Sequence, residues 1–349
     1  VPRECPLVET HLHLEGSIPL RALRRLAARH GAALPRSFLR GGAIQRGRGF
    51  DAFMDSFVAC VRLLRDRRDV REAATALFED LSREGVEWAE LAFSPQSHLR
   101  RGLPFHDLVM GLSEARQEAA ARGGPAVALI ADGGRLWGPG WLEEMADQAA
   151  DYAGEGVVAM GLGGDERAFP ARRFRRAFEI AARRGLRLVT HAGEGTPARC
   201  VREALEELNP ERIGHGIGAA SDRGLLEELA ARGITLEICP TSNVMTSSVA
   251  SAASHPLRRI LEKGVRVTLG SDDRTIFGTT LRGEYRVAVE ECGVPVGAVP
   301  RMISDGVRGS FAPAGVKRRL LRRLAAYSAT RSTISSRAAS TASSSGASQ

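Results

Sequence analysis

The sequence predicts one α/β domain built as a closed (β/α)8 TIM barrel, with extra helices after the first strand. Three observations predict it. Eight short β-branched or apolar runs recur along the 349 residues, and helix-period patterns lie between them. Four of those runs end in clusters of histidine and acidic residues, which is where barrel enzymes place their chemistry. A doubly wound sheet, the competing arrangement, usually carries a glycine-rich phosphate turn after its first strand, and LHLEGSIP is not one.

The strands are read, in order, at LVETHLHL (7–14), VEWAELAF (86–93), AVALIAD (126–132), VVAMGL (157–162), LRLVTH (186–191), RIGHG (212–216), ITLEIC (234–239) and VRVTLGS (265–271). Helical patterns fall at 20–30, 51–65, 69–84, 105–122, 141–153, 170–184, 197–208, 221–232 and 256–263. The long stretch 31–85 reads as added helices ahead of the second strand, a candidate lid. Phe53 and Phe57 share a face there at i, i+4 spacing and are read as core. Residues 1–327 form the barrel on this reading. The Ser/Ala/Thr-rich segment 328–349 cannot bury apolar surface and is expected to be disordered.

Composition narrows the function classes. No apolar run reaches the roughly 18 residues of a membrane span, and VPRECPLVETHLHL has neither a basic leader nor a long apolar segment. The five cysteines are scattered and never in CxxC spacing. A reducing compartment without disulfides or a thiolate metal site is expected, and so a cytoplasmic protein. The net charge of +8 sits beyond Asp305, where eight basic residues face no acidic one. Residues 1–305 are formally neutral, so neither nucleic acid nor membrane is an expected partner. KRRLLRR reads as the solvated face of a last helix.

Four clusters carry the chemistry. His11 and His13 lie in THLHLEGS, His191 and Glu194 in THAGEG, His215 in RIGHG, and Asp272 and Asp273 in TLGSDD. The His-x-His spacing puts two imidazoles on one strand face, where they can share a metal. His191 is the natural third nitrogen ligand and Asp272 the natural oxygen ligand. Such a set suits zinc, with cobalt, iron or nickel as substitutes. A metal with an open position makes a hydroxide nucleophile near neutral pH. Glu194 is read as proton donor. His215 is read as orienting or deprotonating the water, with a fourth ligand as the alternative. Asp273 is read as a substrate contact, with a partner that holds a histidine as the alternative.

These motifs resemble the adenosine deaminase family of the amidohydrolase superfamily. The resemblance runs from about residue 7 to about 327 through ETHLHLEGS, GLGGDE, THAGEG, ERIGHG, LEICPTSN and GSDD followed by FGTTL. It implies one zinc ion per chain, held by His11, His13, His191 and Asp272. It further implies hydrolysis of a purine 6-amino group to the 6-oxo group and ammonia. Glu194 would protonate N1 as hydroxide attacks C6, with His215 orienting the hydroxide, Asp273 on N7 and the backbone of Gly164 on N3. The leading expectation is an adenosine-like nucleoside. Glu15, where adenosine-specific members carry Asp, resembles members acting on adenine or on aminodeoxyfutalosine, and SPQSHLRRG is reminiscent of adenine-deaminating ones. Arg274 replaces the usual proline and could offer a cation to a carboxylate-bearing substrate. The HxE…PCxxC plan of the other zinc deaminases is absent. A catalytically idle purine-binding relative would show a broken ligand set, which this sequence does not. Oligomeric state stays open.

Overall fold

The computed structural model describes residues 5–35, Phe38 and 49–344, with side chains described from Phe53 to Ala329 in the last segment. Eight strands form one parallel sheet in sequence order: β1 (Leu7–His13), β2 (Val86–Phe93), β3 (Ala126–Gly134), β4 (Val157–Gly163), β5 (Arg187–Ala192), β6 (Arg212–His215), β7 (Thr235–Ile238) and β8 (Arg266–Leu269). All eight expected strands are present. The sheet closes through a bridge between Leu12 and Asp272, in which His13 N donates to Asp272 O at 3.2 Å and Asp272 N to His11 O at 3.0 Å. The seam of the barrel is thus made by the backbone of residues that carry the chemistry. This is a (β/α)8 barrel.

Alternation along each strand separates two cores. On β2, Ala89, Leu91 and Phe93 join the large shell between barrel and helices. Trp88, Glu90 and Ala92 are also buried but belong to the other face, inside the barrel. The floor of that interior is Val8, Trp88 and Ala128, closed from below by Val307, Ala312 and Leu320. Leu320 lies on the last helix (Ala314–Ser344), whose Arg318, Arg319, Arg322 and Arg323 are exposed, as read from KRRLLRR. That helix runs on to Ser344, into the Ser/Ala/Thr-rich segment expected to be disordered, and among the described side chains its last buried core residue is Leu324.

Between floor and mouth lies a charged layer. Arg212 on β6 is fully buried; it donates through Nη2 to Glu90 Oε2 at 2.5 Å and through Nε to Glu237 Oε1 at 2.6 Å. Its guanidinium also stacks over Phe311, 3.7 Å from the ring centroid. Burial pushes both carboxyls upward. For Glu237, Arg212 and His11 outweigh it and bring the pKa down to about 2, whereas for Glu90 burial prevails.

The excursion between β1 and β2 contains the helices Leu20–His30, Gly49–Val61 and Arg67–Glu84. Asp66 caps the last of these by accepting from Asp69 N, and Gly85, at φ 83°, turns the chain into β2. Phe53 and Phe57 lie 5.9 Å apart, and Phe53 stacks on Phe277 at 5.4 Å. They pack against the main core, as read, and they also join this excursion to the segment after β8. Among the described residues, no helix is long and apolar enough to cross a membrane.

Candidate active site

The ends of β1, β5, β6 and the segment after β8 bring five donors to one point. Ligand atoms of His11, His13 and His191 lie within 4.8 Å of one another, as do those of His11, His215 and Asp272. Two glycines make this approach possible. A Cβ on Gly214 would sit 2.7 Å from His11 Cε1, and one on Gly270 would sit 2.5 Å from His11 Cβ. His215 and Asp272 adopt left-handed backbone at φ 60° and 57°, unusual for residues with a side chain and found where a site enforces it.

The donors suit a divalent metal. His11 Nε2 is buried and has no hydrogen-bond partner. It lies 3.8 Å from Asp272 Oδ1, and His13 Nε2 lies 3.5 Å from the same oxygen. Those gaps are too long for hydrogen bonds and near the roughly 3.3 Å that separates two tetrahedral ligands of zinc. His11 Nδ1 meets Glu237 Oε2 at 3.1 Å, so a carboxylate orients the ring and leaves Nε2 for the metal. Burial lowers the pKa of His11, and it lowers His191 well below the usual range, helped by His11, His13 and His215. Both imidazoles stay neutral, as metal binding requires.

Glu194 lies on the loop leaving β5, 3.8 Å from His215 Nε2, and accepts from Thr246 Oγ1 at 3.1 Å. Burial, with Asp272 nearby, raises its pKa against the opposing pull of His215. Glu166 was not singled out in the sequence, yet it ties this loop to β4. It accepts from Gly193 N at 2.7 Å, Glu194 N at 3.2 Å and Thr196 Oγ1 at 2.7 Å. Asp273 is buried with Oδ1 unpartnered, and burial together with Asp272 raises its pKa well above the carboxylate range. Asp273 therefore favours the protonated form and can donate to an acceptor such as a ring nitrogen. Gly164, at φ 100°, follows β4 and passes beside Arg135.

Glu15 is fully buried. Its Oε1 accepts from Ser94 N and from His98 Nε2, both at 2.9 Å, while Oε2 has no protein partner. Burial alone would raise its pKa, but the His98 bond brings it below the usual value. His98, whose place in SPQSHLRRG after the second strand suits a surface loop more than the pocket mouth, is instead fully buried on the helix Pro95–Leu99. Gly16, next to Glu15 in the chain, packs against Asp273: a Cβ there would lie 1.8 Å from Asp273 Oδ1. Glu15 Oε2 and Asp273 Oδ1 are thus two buried carboxyl oxygens without protein partners, one on the residue before Gly16 and the other packed on Gly16 itself.

Arg274 does not have the place suggested for it. Its guanidinium is 8% exposed and pairs with Glu84 Oε2 at 2.6 Å, with Ser271 Oγ at 3.5 Å and Glu9 Oε2 at 4.0 Å. Glu84 also accepts from Arg282 N at 2.7 Å, so Arg274 pins the segment after β8 to the helix Arg67–Glu84. Arg274→Ala is expected to cost roughly 3 kcal/mol, as for other broken buried pairs. It should not change the preference among substrates. Thermal unfolding beside kcat/KM ratios checks both parts.

His255, whose place before Pro256 suits a turn, is 5% exposed and hydrogen-bonds Asn243, which in turn reaches His215. Asn243 sits in the LEICPTSN motif, whose fully buried side chain carried no assigned role in the sequence.

Barrel, mouth-facing histidines and paired aspartates together fit a hydrolase of the amidohydrolase type. The adenosine deaminase family model matches residues 6–327, and the chain belongs to this family and is a hydrolytic deaminase. It is 36% identical over 324 residues to the aminodeoxyfutalosine deaminase of Acidothermus cellulolyticus, covering 90% of each chain. It is 34% identical over 313 residues to the adenine deaminase of Sinorhizobium medicae, covering 90% of this chain and 96% of that one. The crystal structure of adenine deaminase from Arthrobacter aurescens superposes with a TM-score of 0.86 at 30% identity, covering 93% of this chain and 99% of that one.

Proposed function

We propose that the chain hydrolyses the 6-amino group of an adenine-type purine to the 6-oxo purine and ammonia, with free adenine as the preferred substrate. His11, His13, His191 and Asp272 would hold one zinc ion, which when bound supplies an acidified water at neutral pH. Glu194 gives a proton to the ring nitrogen beside the reacting carbon. His215 faces the attacking oxygen, and Asp273 meets N7. The backbone of Gly164 meets N3. Glu166 holds the Glu194 loop still while this happens. Residues 1–327 form the catalytic unit.

The observation that carries the substrate reading is the pair of unpartnered oxygens on Glu15 and Asp273. A buried hydrogen-bonding group without a partner costs free energy until a ligand pairs it: the protonated Asp273 wants an acceptor and the ionised Glu15 a donor. The five-membered ring of free adenine offers a nitrogen acceptor at one position and an N–H donor at the other. A nucleoside has no N–H at N9. Adenine deaminases among the relatives support this choice over the adenosine-like nucleoside that heads the sequence reading. Aminodeoxyfutalosine is the second reading, supported by the relatives that act on it.

A spectrophotometric panel with zinc-loaded protein tests it. Adenine is expected to exceed adenosine, 2′-deoxyadenosine and aminodeoxyfutalosine in kcat/KM by about 100-fold or more, since a site built to bond an N–H rejects analogues that lack it. Aminodeoxyfutalosine as best substrate would transfer Glu15 to a hydroxyl of the N9 substituent. No turnover of any of the four by protein of confirmed zinc content would defeat the proposal.

A further inference from the structure

We infer that Asn243 and His255 are positioning residues that fix His215 in the tautomer carrying its proton on Nε2, so that it faces the reacting oxygen as a hydrogen-bond donor. The argument starts at a backbone amide. Leu257 N lies 3.1 Å from His255 Nδ1, and a backbone N–H only donates. His255 Nδ1 is therefore bare, and the ring proton is on Nε2. That nitrogen lies 3.1 Å from Asn243 Oδ1, the acceptor it needs. The orientation of the Asn243 amide follows, and it turns Nδ2 towards His215 Nδ1, again at 3.1 Å. An amide nitrogen donates, so His215 Nδ1 accepts and its proton resides on Nε2.

Each link is held in place. His255, Asn243 and His215 are 5%, 0% and 1% exposed, so these atoms are shielded from bulk solvent. Asn243 is anchored at both ends of its peptide, donating to Cys239 O at 2.9 Å and accepting from Val249 N at 3.0 Å. His255 follows a short turn closed by reciprocal Ser251–Ser254 bonds. Burial, then His215, keeps His255 neutral, with its pKa near 4, and a charged ring would set its Nδ1 proton against Leu257 N–H.

The consequence concerns the role left open between orienting and deprotonating. His215 Nε2 lies 3.8 Å from Glu194 Oε2 and 3.9 Å from Asp272 Oδ2, at the mouth of the donor cage. With Nε2 already protonated, His215 has no lone pair for a proton from water there. It can hold the oxygen by donating to it and stabilise its negative charge. Nor can a protonated Nε2 bind a metal, so the same polarity removes His215 from the ligand set. This assignment rests on the proposed function for the identity of the reacting oxygen, and on hydrogen bonding alone for the tautomer.

Histidine-labelled, zinc-loaded protein tests it by long-range 1H–15N correlation, with His215 assigned by the His215→Gln variant. The expected spectrum shows His215 with a bare Nδ1 and a protonated Nε2. Asn243→Asp keeps shape but turns an acceptor towards Nδ1. It should move the proton to Nδ1 and lower kcat about 100-fold, the scale of one lost oxyanion donor. KM should stay within about threefold and zinc content should hold, because Asn243 is outside the proposed metal ligands and substrate contacts. His255→Ala frees the amide to flip and should give a mixture of tautomers with a smaller loss. A protonated Nδ1 on His215 in the wild-type protein overturns the inference whatever its activity. So does Asn243→Asp with the proton moved and kcat unchanged. A bare Nδ1 in a protein that deaminates nothing upholds the inference and defeats the proposed function instead.

Discussion

Glu194→Gln is expected to lower kcat by roughly 10²- to 10⁴-fold, the range for a positioned acid or base. Zinc content and KM should change little. Glutamine has the same size and can keep the Thr246 hydroxyl bond, and its amide can still donate to a ring nitrogen. It cannot give up a proton. Binding therefore survives while the transfer fails, which places the loss in kcat. The loop should not move, because Glu166 holds Gly193 N and Thr196 Oγ1 regardless of the residue at 194. The pH dependence carries the sign. Burial raises the Glu194 pKa, so the carboxyl keeps its proton to higher pH than an exposed glutamate. Activity that needs this proton falls as pH rises through that pKa, and the variant should lack this alkaline limb. Steady-state rates from neutral to alkaline pH, with metal analysis of each protein, check the prediction. Full activity in Glu194→Gln would remove Glu194 as proton donor.

The barrel was legible because its signal is local. β2 occupies 86–93 as read, and the helix Leu20–His30 begins and ends at the residues its pattern marks. The inward donors were legible for a related reason: His-x-His and Asp-Asp stand at strand ends, and strand ends meet at one mouth. What pattern could not reach is pairing across the fold. His98 reads as a loop residue until Glu15, 83 positions earlier, is placed against it. Arg212 and Glu90 are 122 positions apart and look like charges on two unrelated strands. Nothing in the periodicity of either segment shows that they neutralise each other inside the barrel. Arg274 is the converse case. A lone arginine beside the aspartate pair invites a substrate role, and its partner Glu84 lies 190 positions away on the added helix. His255 was hidden by Pro256, which marks a turn without showing that the turn is buried.

Arg212→Met should have the largest effect on stability, about 3–5 kcal/mol, because it strands two buried carboxylates without their cation. Whole-domain stability is of the order of 5–15 kcal/mol, so a marked fall in unfolding midpoint is expected by calorimetry or denaturant titration. Methionine fills much of the volume, so the loss is electrostatic more than a cavity. The sign follows from Glu237, which Arg212 helps to hold at about 2. A carboxyl depressed below its unfolded value contributes stability that is present above the unfolded pKa and lost as pH falls towards the folded one. Without Arg212, burial prevails and Glu237 rises, so this contribution disappears at neutral pH. The effect reaches the mouth of the barrel through one atom pair, Glu237 Oε2 and His11 Nδ1. A protonated Glu237 orients His11 poorly, and the loss of such a partner typically weakens metal binding 10- to 100-fold. Replacing Glu90, Arg212 and Glu237 together by apolar residues separates the two effects. Stability should return, since no charge is left buried, while metal affinity stays low because His11 still lacks its carboxylate. Recovery of both in the triple variant would show that the layer supports the fold alone.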